Sequence, residues 1–158
     1  MDTLNILLVD DDRNLVTTLS YGLRKAMGEA ITVAICFSSS EALSMLATQA
    51  FDVVVSDFNM PGPSGLEFLK KIRQDDGEII LVLITAYGTD ALEEGVHQLG
   101  VGYITKPFEP SFLAQLIKGL ITGSGPNGRT ENASRIMDKL GKQAGSSRGI
   151  LQEGWLHE

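Results

Sequence analysis

Cysteine is almost absent: the one thiol in 158 residues, Cys36, has no partner for an intramolecular disulfide and cannot build a zinc site. It falls in the apolar run Ile31 to Phe37, where a buried thiol is expected, and a reducing cytoplasm suits such a chain. Long hydrophobic runs are also lacking. The longest, Ile79 to Ile84, is far below the ~18 residues that span a bilayer. The N-terminus, MDTLNILLVDDD, puts no basic region ahead of its short apolar stretch, so neither secretion nor membrane insertion is expected. Basic residues are scarce, 13 Lys and Arg against 20 Asp and Glu. A formal charge of -7 argues against direct nucleic-acid binding and against an anionic lipid surface. What is present, 43% hydrophobic and 21% charged residues, is the balance of one globular domain with an appendage.

Short apolar runs alternate with segments that carry apolar residues at helical spacing. Strands are predicted at Ile6 to Val9, Ile31 to Phe37, Val53 to Ser56, Ile79 to Thr85 and Gly102 to Thr105. Several lack polar alternation, as strands covered on both faces do. Helices are expected between and after them, on Leu15, Leu19 and Leu23; on Ala42, Leu43 and Leu46; on Leu66, Leu69 and Ile72; on Leu92, Val96 and Leu99; and on Phe112, Leu116 and Leu120. Candidate caps are Ser40, Ser64 and Thr89 or Asp90, with Gly28, Gly77 and Gly100 as stops. This alternation argues a doubly wound α/β domain, in which ligands bind at the carboxyl ends of the strands.

Polar residues fall at those ends. Strand one closes on Asp10, Asp11 and Asp12, strand three on Asp57, strand four on Thr85, and strand five leads into Lys106 and Pro107. With strands one and three flanking the crevice, Asp10, Asp11 and Asp57 should share one site. Crowded carboxylates are relieved by a raised pKa or by a hard cation, and magnesium fits a few carboxylates completed by a phosphate and waters. Lys106 adds a positive point and Thr85 a hydroxyl donor, a set that suits a phosphoryl group. Taken singly each has an ordinary reading: an Asp triplet as a helix N-terminus, Thr85 as a strand-end hydroxyl, Lys106 as a solvated lysine, Tyr103 as a half-buried strand aromatic. His97 reads as a surface histidine with nothing placing it near the site.

The combination of ILLVDDD, VVVSDFNMPGPSG, LITAYG and GYITKPF, in order and spacing over residues 4 to 121, resembles the receiver domain of bacterial two-component response regulators. The resemblance implies a flavodoxin-like fold with a five-stranded parallel sheet ordered 2-1-3-4-5 and five helices. It further implies Asp57 as phosphoacceptor, Asp11 as a ligand of Mg²⁺ (Mn²⁺ substituting), Asp10 as the residue ordering the metal's waters, and the Asn59 carbonyl as a further ligand. Thr85 and Lys106 would contact the phosphoryl oxygens, Tyr103 would be the aromatic switch, and a cis peptide would precede Pro107. The implied partners are a sensor histidine kinase or phosphotransfer protein and a downstream protein on the face of helix four, strand five and helix five. Asn59 and Tyr87, each two residues past a site residue, are expected at the mouth, where they would tune loss of the phosphoryl group.

A haloacid-dehalogenase-like phosphatase is the rival, with Asp10 as nucleophile in the pattern Asp10-x-Asp12. It expects Thr or Val where this chain has Asn14, and it leaves Asp57 without a role. A pure interaction module would leave the acid cluster unused. GSGPNG at Gly123 to Gly128 mimics a dinucleotide loop but follows a helix and opens no βαβ unit. DFNMPG mimics a calcium loop but has Phe68 where glutamate is required. Residues 1–121 therefore read as the receiver and 122–158, with seven glycines, as a linker and tail with one helix around 131–141. Charge divides there too, net -8 through Ile121 and +1 after it. With no full effector in the tail, the chain is expected to be a stand-alone receiver or a fragment of a longer regulator, a monomer or weak dimer.

Overall fold

The structure, a computed structural model, describes residues 3 to 122. Strands β1 (Leu4–Val9), β2 (Ile31–Cys36), β3 (Val53–Asp57), β4 (Ile80–Thr85) and β5 (Gly102–Thr105) alternate with helices α1 (Arg13–Met27), α2 (Ser39–Thr48), α3 (Gly65–Asp75), α4 (Asp90–Gln98) and α5 (Pro110–Ile121). Every neighbouring pair is parallel and the order is β2-β1-β3-β4-β5, so the direction of winding reverses at β1 and β3.

Successive residues of a strand point to opposite faces, so an unbroken apolar run feeds two cores at once. Ile6, Leu8, Val53, Val55, Val82 and Ile84 pack with Leu19, Leu23, Leu113 and Leu116 of α1 and α5. Leu7, Val9, Val54, Leu81 and Leu83 pack with Phe68, Leu69, Leu92 and Val96 of α3 and α4, and Cys36 is sealed there. With both faces filled, the strand tips are left to carry polar side chains.

Helix starts follow the sequence with one correction. Ser64 and Thr89 cap α3 and α4, accepting from Glu67 N–H and Leu92 N–H, and the Asp12 carboxylate caps α1 from Asn14 and Leu15. At α2 the cap is Ser38, not Ser40. Glu41 decides it: its N–H donates to Ser38 Oγ while its carboxylate reaches back to accept from Phe37 N–H. Gly28 (φ 63°) ends α1 and Gly100 (φ 66°) follows α4, but α3 stops at Asp75 with Asp76 as its cap, one residue before Gly77. The peptide before Pro107 is cis.

Strand β2 is an edge. The Cys36 carbonyl accepts from Asp10 N–H on the β1 side, so Val33, Ile35 and Phe37 turn their main-chain groups outward. Arg24 of α1 donates to the Val33 carbonyl at 3.1 Å and Glu41 takes the Phe37 N–H at 3.0 Å. Among the described residues no helix is long and apolar enough to cross a membrane. The expected linker and tail helix beyond Thr122 lie outside the described residues.

Candidate functional site

The residues just past β1 and the last residue of β3 deliver the acids. Asp10, Asp11 and Asp57 each offer a carboxylate oxygen, all within 4.8 Å of one another. Asp10 and Asp57 are buried and Asp11 is exposed at the rim. Lys106, carried in by the end of β5, places Nζ 2.8 Å from Asp57 Oδ1 and 3.9 Å from Asp10 Oδ2. One ammonium does not balance three carboxylates, and the remainder shows on Asp10. Oδ1 accepts from Asp12 N–H at 2.9 Å, but Oδ2 is buried with no hydrogen-bond partner. Burial pushes the Asp10 carboxyl up to about 7; the Asp12 N–H and Lys106 oppose that shift, and the nearby Asp57 charge adds to it.

A buried, unpartnered carboxylate oxygen beside two further carboxylates is an oxygen-donor set for a hard divalent cation, and the residues present fit magnesium.

Asp57 is held by its own loop. Asn59 N–H donates to its Oδ2 at 3.1 Å, Phe58 N–H to the Ile84 carbonyl, and Gly65 N–H to the Phe58 carbonyl. Gly65 opens α3 directly against this strand end, and a Cβ there would overlap the Asp57 carbonyl. Sequence reasoning does not single out Gly65; its signal is the tight return of the chain over MPGPS.

Thr85 is buried at the tip of β4, and its carbonyl accepts Lys106 N–H at 2.8 Å. Its hydroxyl faces the following loop, accepting from Tyr87 N–H at 3.2 Å and lying 3.3 Å from the Tyr87 carbonyl. The Tyr87 ring is 78% exposed. Tyr103 is half-buried and its hydroxyl is fully enclosed without a hydrogen-bond partner, under Gly88, where a Cβ would collide with it. Burial, with the charge of Glu93, raises its pKa. The Tyr103 hydroxyl is enclosed because Gly88, lacking a Cβ, leaves room for it. His97 is exposed on α4.

Thus Asp10, Asp11, Asp57 and Lys106 meet in one basin, Asn59 is tied to it through its N–H, and Thr85 adjoins it with its hydroxyl turned to the loop. The family model described as the response regulator receiver domain matches residues 6–118. Response regulator protein FleR of Pseudomonas aeruginosa is 36% identical over 157 residues, covering 94% of this chain and 33% of FleR. The hydrogenase transcriptional regulatory protein HoxA of Cupriavidus necator is 32% identical over 125 residues, 78% of this chain and 25% of HoxA. This chain thus spans a third of one relative and a quarter of the other. Among solved structures, response regulator DrrB of Thermotoga maritima aligns at TM-score 0.67 and 27% identity over 76% of this chain and 53% of its own. Chemotaxis response regulator CheY4 of Vibrio cholerae aligns at 0.65 and 26% over 74% and 98%. With the family model spanning most of the chain and the fold and acid basin in agreement, this chain belongs to the family of response regulator receiver domains.

Proposed function

We propose that the chain is a phosphorylation-activated switch in which Asp57 accepts a phosphoryl group from the phosphohistidine of a sensor histidine kinase or phosphotransfer protein. The observation that carries this is the Lys106 ammonium set between Asp57 and Asp10 at a buried strand-end basin. An Asp57 oxygen attacks phosphorus, the P–N bond breaks, and the freed imidazole nitrogen takes up a proton; an acyl phosphate is left on Asp57. A carboxylate is a weak nucleophile, so the donor must already be activated. Asp10, Asp11, Asp57 and the Asn59 carbonyl would hold Mg²⁺ (or Mn²⁺), with Asp10 acting through its waters. When bound there, the metal would supply positive charge to the phosphoryl oxygens. Lys106 neutralises the charge spread over the transferring group, and burial of Asp57 among fixed dipoles strengthens that attraction.

The hydroxyl of Thr85 is the coupling atom. Bonded to the main chain of Tyr87 before the reaction, it turns to a phosphoryl oxygen after it, and loop 86–89 is released. That loop roofs the Tyr103 hydroxyl, so the two arrangements carry different packing around Tyr103 and over the face of α4, β5 and α5, where the downstream partner binds. Asn59 and Tyr87 tune the lifetime: Asn59 cannot act as a base, and the exposed Tyr87 ring is free to fold over the modified site. The chain turns over no substrate beyond its own acyl phosphate, and it works in the cytoplasm as the receiver part of a longer regulator or alone. Acetyl phosphate with Mg²⁺ should label the wild type at one site. The Asp57→Asn protein should take no label, and equal labelling of it would overturn the assignment and return attention to Asp10.

A further inference from the structure

The far end of the sheet holds a cluster with no part in phosphoryl chemistry. In the last turn of α3 the Arg73 guanidinium reaches five main-chain carbonyls from two segments. Nε donates to Leu99 at 3.0 Å and Nη2 to Gly100 at 3.3 Å, just past α4. Nη1 is shared among Ile79 at 2.7 Å, Gly77 at 3.1 Å and Asp76 at 3.5 Å, at the entry to β4. Carbonyls at a helix end are short of partners, and a planar cation with several donors satisfies them with charge-assisted bonds that a lysine point charge cannot reproduce. The other end of α4 has no such fastening. It is held by the Thr89 cap, residues 86 to 90 are all exposed, and among the described residues the hydrogen bonds of the loop before it run through the Thr85 hydroxyl. Helix α4 has nine residues with Gly95 inside it, so it has little stability of its own.

We infer that Arg73 is the fixed end about which α4 moves: the clamp confines any displacement started at Thr85 to the N-terminal half of α4 and keeps the entries to β4 and β5 in place. This rests on the proposed response of the α4 face to modification of Asp57. Arg73 is thus a positioning residue that decides how far the change spreads, not whether Asp57 reacts.

Amide hydrogen exchange across residues 86 to 101, with and without beryllofluoride and Mg²⁺, tests it, ¹⁹F NMR reporting that the probe is bound. In the wild type the exchange change should lie in 86 to 94, with 96 to 101 unaltered. In Arg73→Lys it should extend into 96 to 101 by roughly tenfold, the factor for losing about one charge-assisted hydrogen bond, while acetyl phosphate labels Asp57 at the wild-type rate. Arg73→Gln, lacking the charge, should spread the change at least as far. A wild-type change uniform from 86 to 101, or variants with the wild-type pattern, would overturn the clamp. No change anywhere with the probe bound would overturn the switch reading beneath it.

Discussion

Asp10 is a carboxyl whose burial opposes its ionisation, and that makes it a pH-sensitive element of the metal-free protein. Its pKa rises from 3.8 to about 7 on folding, so between those values the folded chain holds a proton that the unfolded chain has released. Stability should therefore fall as pH rises through that window and be greatest below it. Urea unfolding in a chelator should show this slope in the wild type and lose it in Asp10→Asn. Magnesium should raise the midpoint more above that window than within it, where Asp10 still holds its proton. Cys36 gives a second residue-scale expectation. Burial, aided by the charge of Glu41, pushes its thiol to about 12, so native protein should react with a thiol reagent only as fast as it unfolds. Rapid labelling at neutral pH without denaturant would contradict the sealed position. Tyr87→Ala should lose label from Asp57 faster than the wild type, and an unchanged decay would remove the ring from the lifetime of the signal.

Among the elements, the loop from Thr85 to Thr89 is the most informative. Gly88→Ala should force the Tyr103 ring out from beneath it, at a cost of about 1–3 kcal/mol typical of overpacking. The near-ultraviolet signal of tyrosine should change while acetyl phosphate still labels Asp57; an unaltered spectrum would show that the loop yields instead. The central strands β3 and β4, and most of β1, were legible because they are buried on both faces and so read as nearly unbroken apolar runs ending on polar residues. The acid basin was legible for the same reason, since Asp10, Asp57 and Thr85 interrupt runs that are otherwise uniformly greasy. The α2 cap was harder: Ser38, Ser39 and Ser40 are equivalent by residue type, and Glu41 selects among them only through bonds made in three dimensions. The Arg73 clamp leaves no mark in the sequence at all, because its partners are carbonyls that every residue possesses. Likewise the hydroxyl of Thr85 was expected to serve a phosphoryl group, and nothing in LITAYG says that a main-chain turn occupies it first.

For the whole molecule, the family match ending at 118 and the two closed cores imply that a chain cut after Thr122 should fold with nearly unchanged stability and keep its labelling of Asp57. A large loss of cooperativity on thermal unfolding would show instead that residues beyond it belong to the domain. Sedimentation should find the unmodified protein a monomer or weak dimer. Strand β2 sets a further limit on association. A sheet edge is an unfinished template, open to the next strand that arrives, and Arg24 and Glu41 occupy two of the outward groups from which such growth would start. The pair acts as a chain terminator in the polymer sense, keeping a protein with an uncharged edge strand from adding copies of itself as its concentration climbs. Removing the terminator with Arg24→Ala should leave the fold and the site unchanged and lower the concentration at which the solution begins to scatter light.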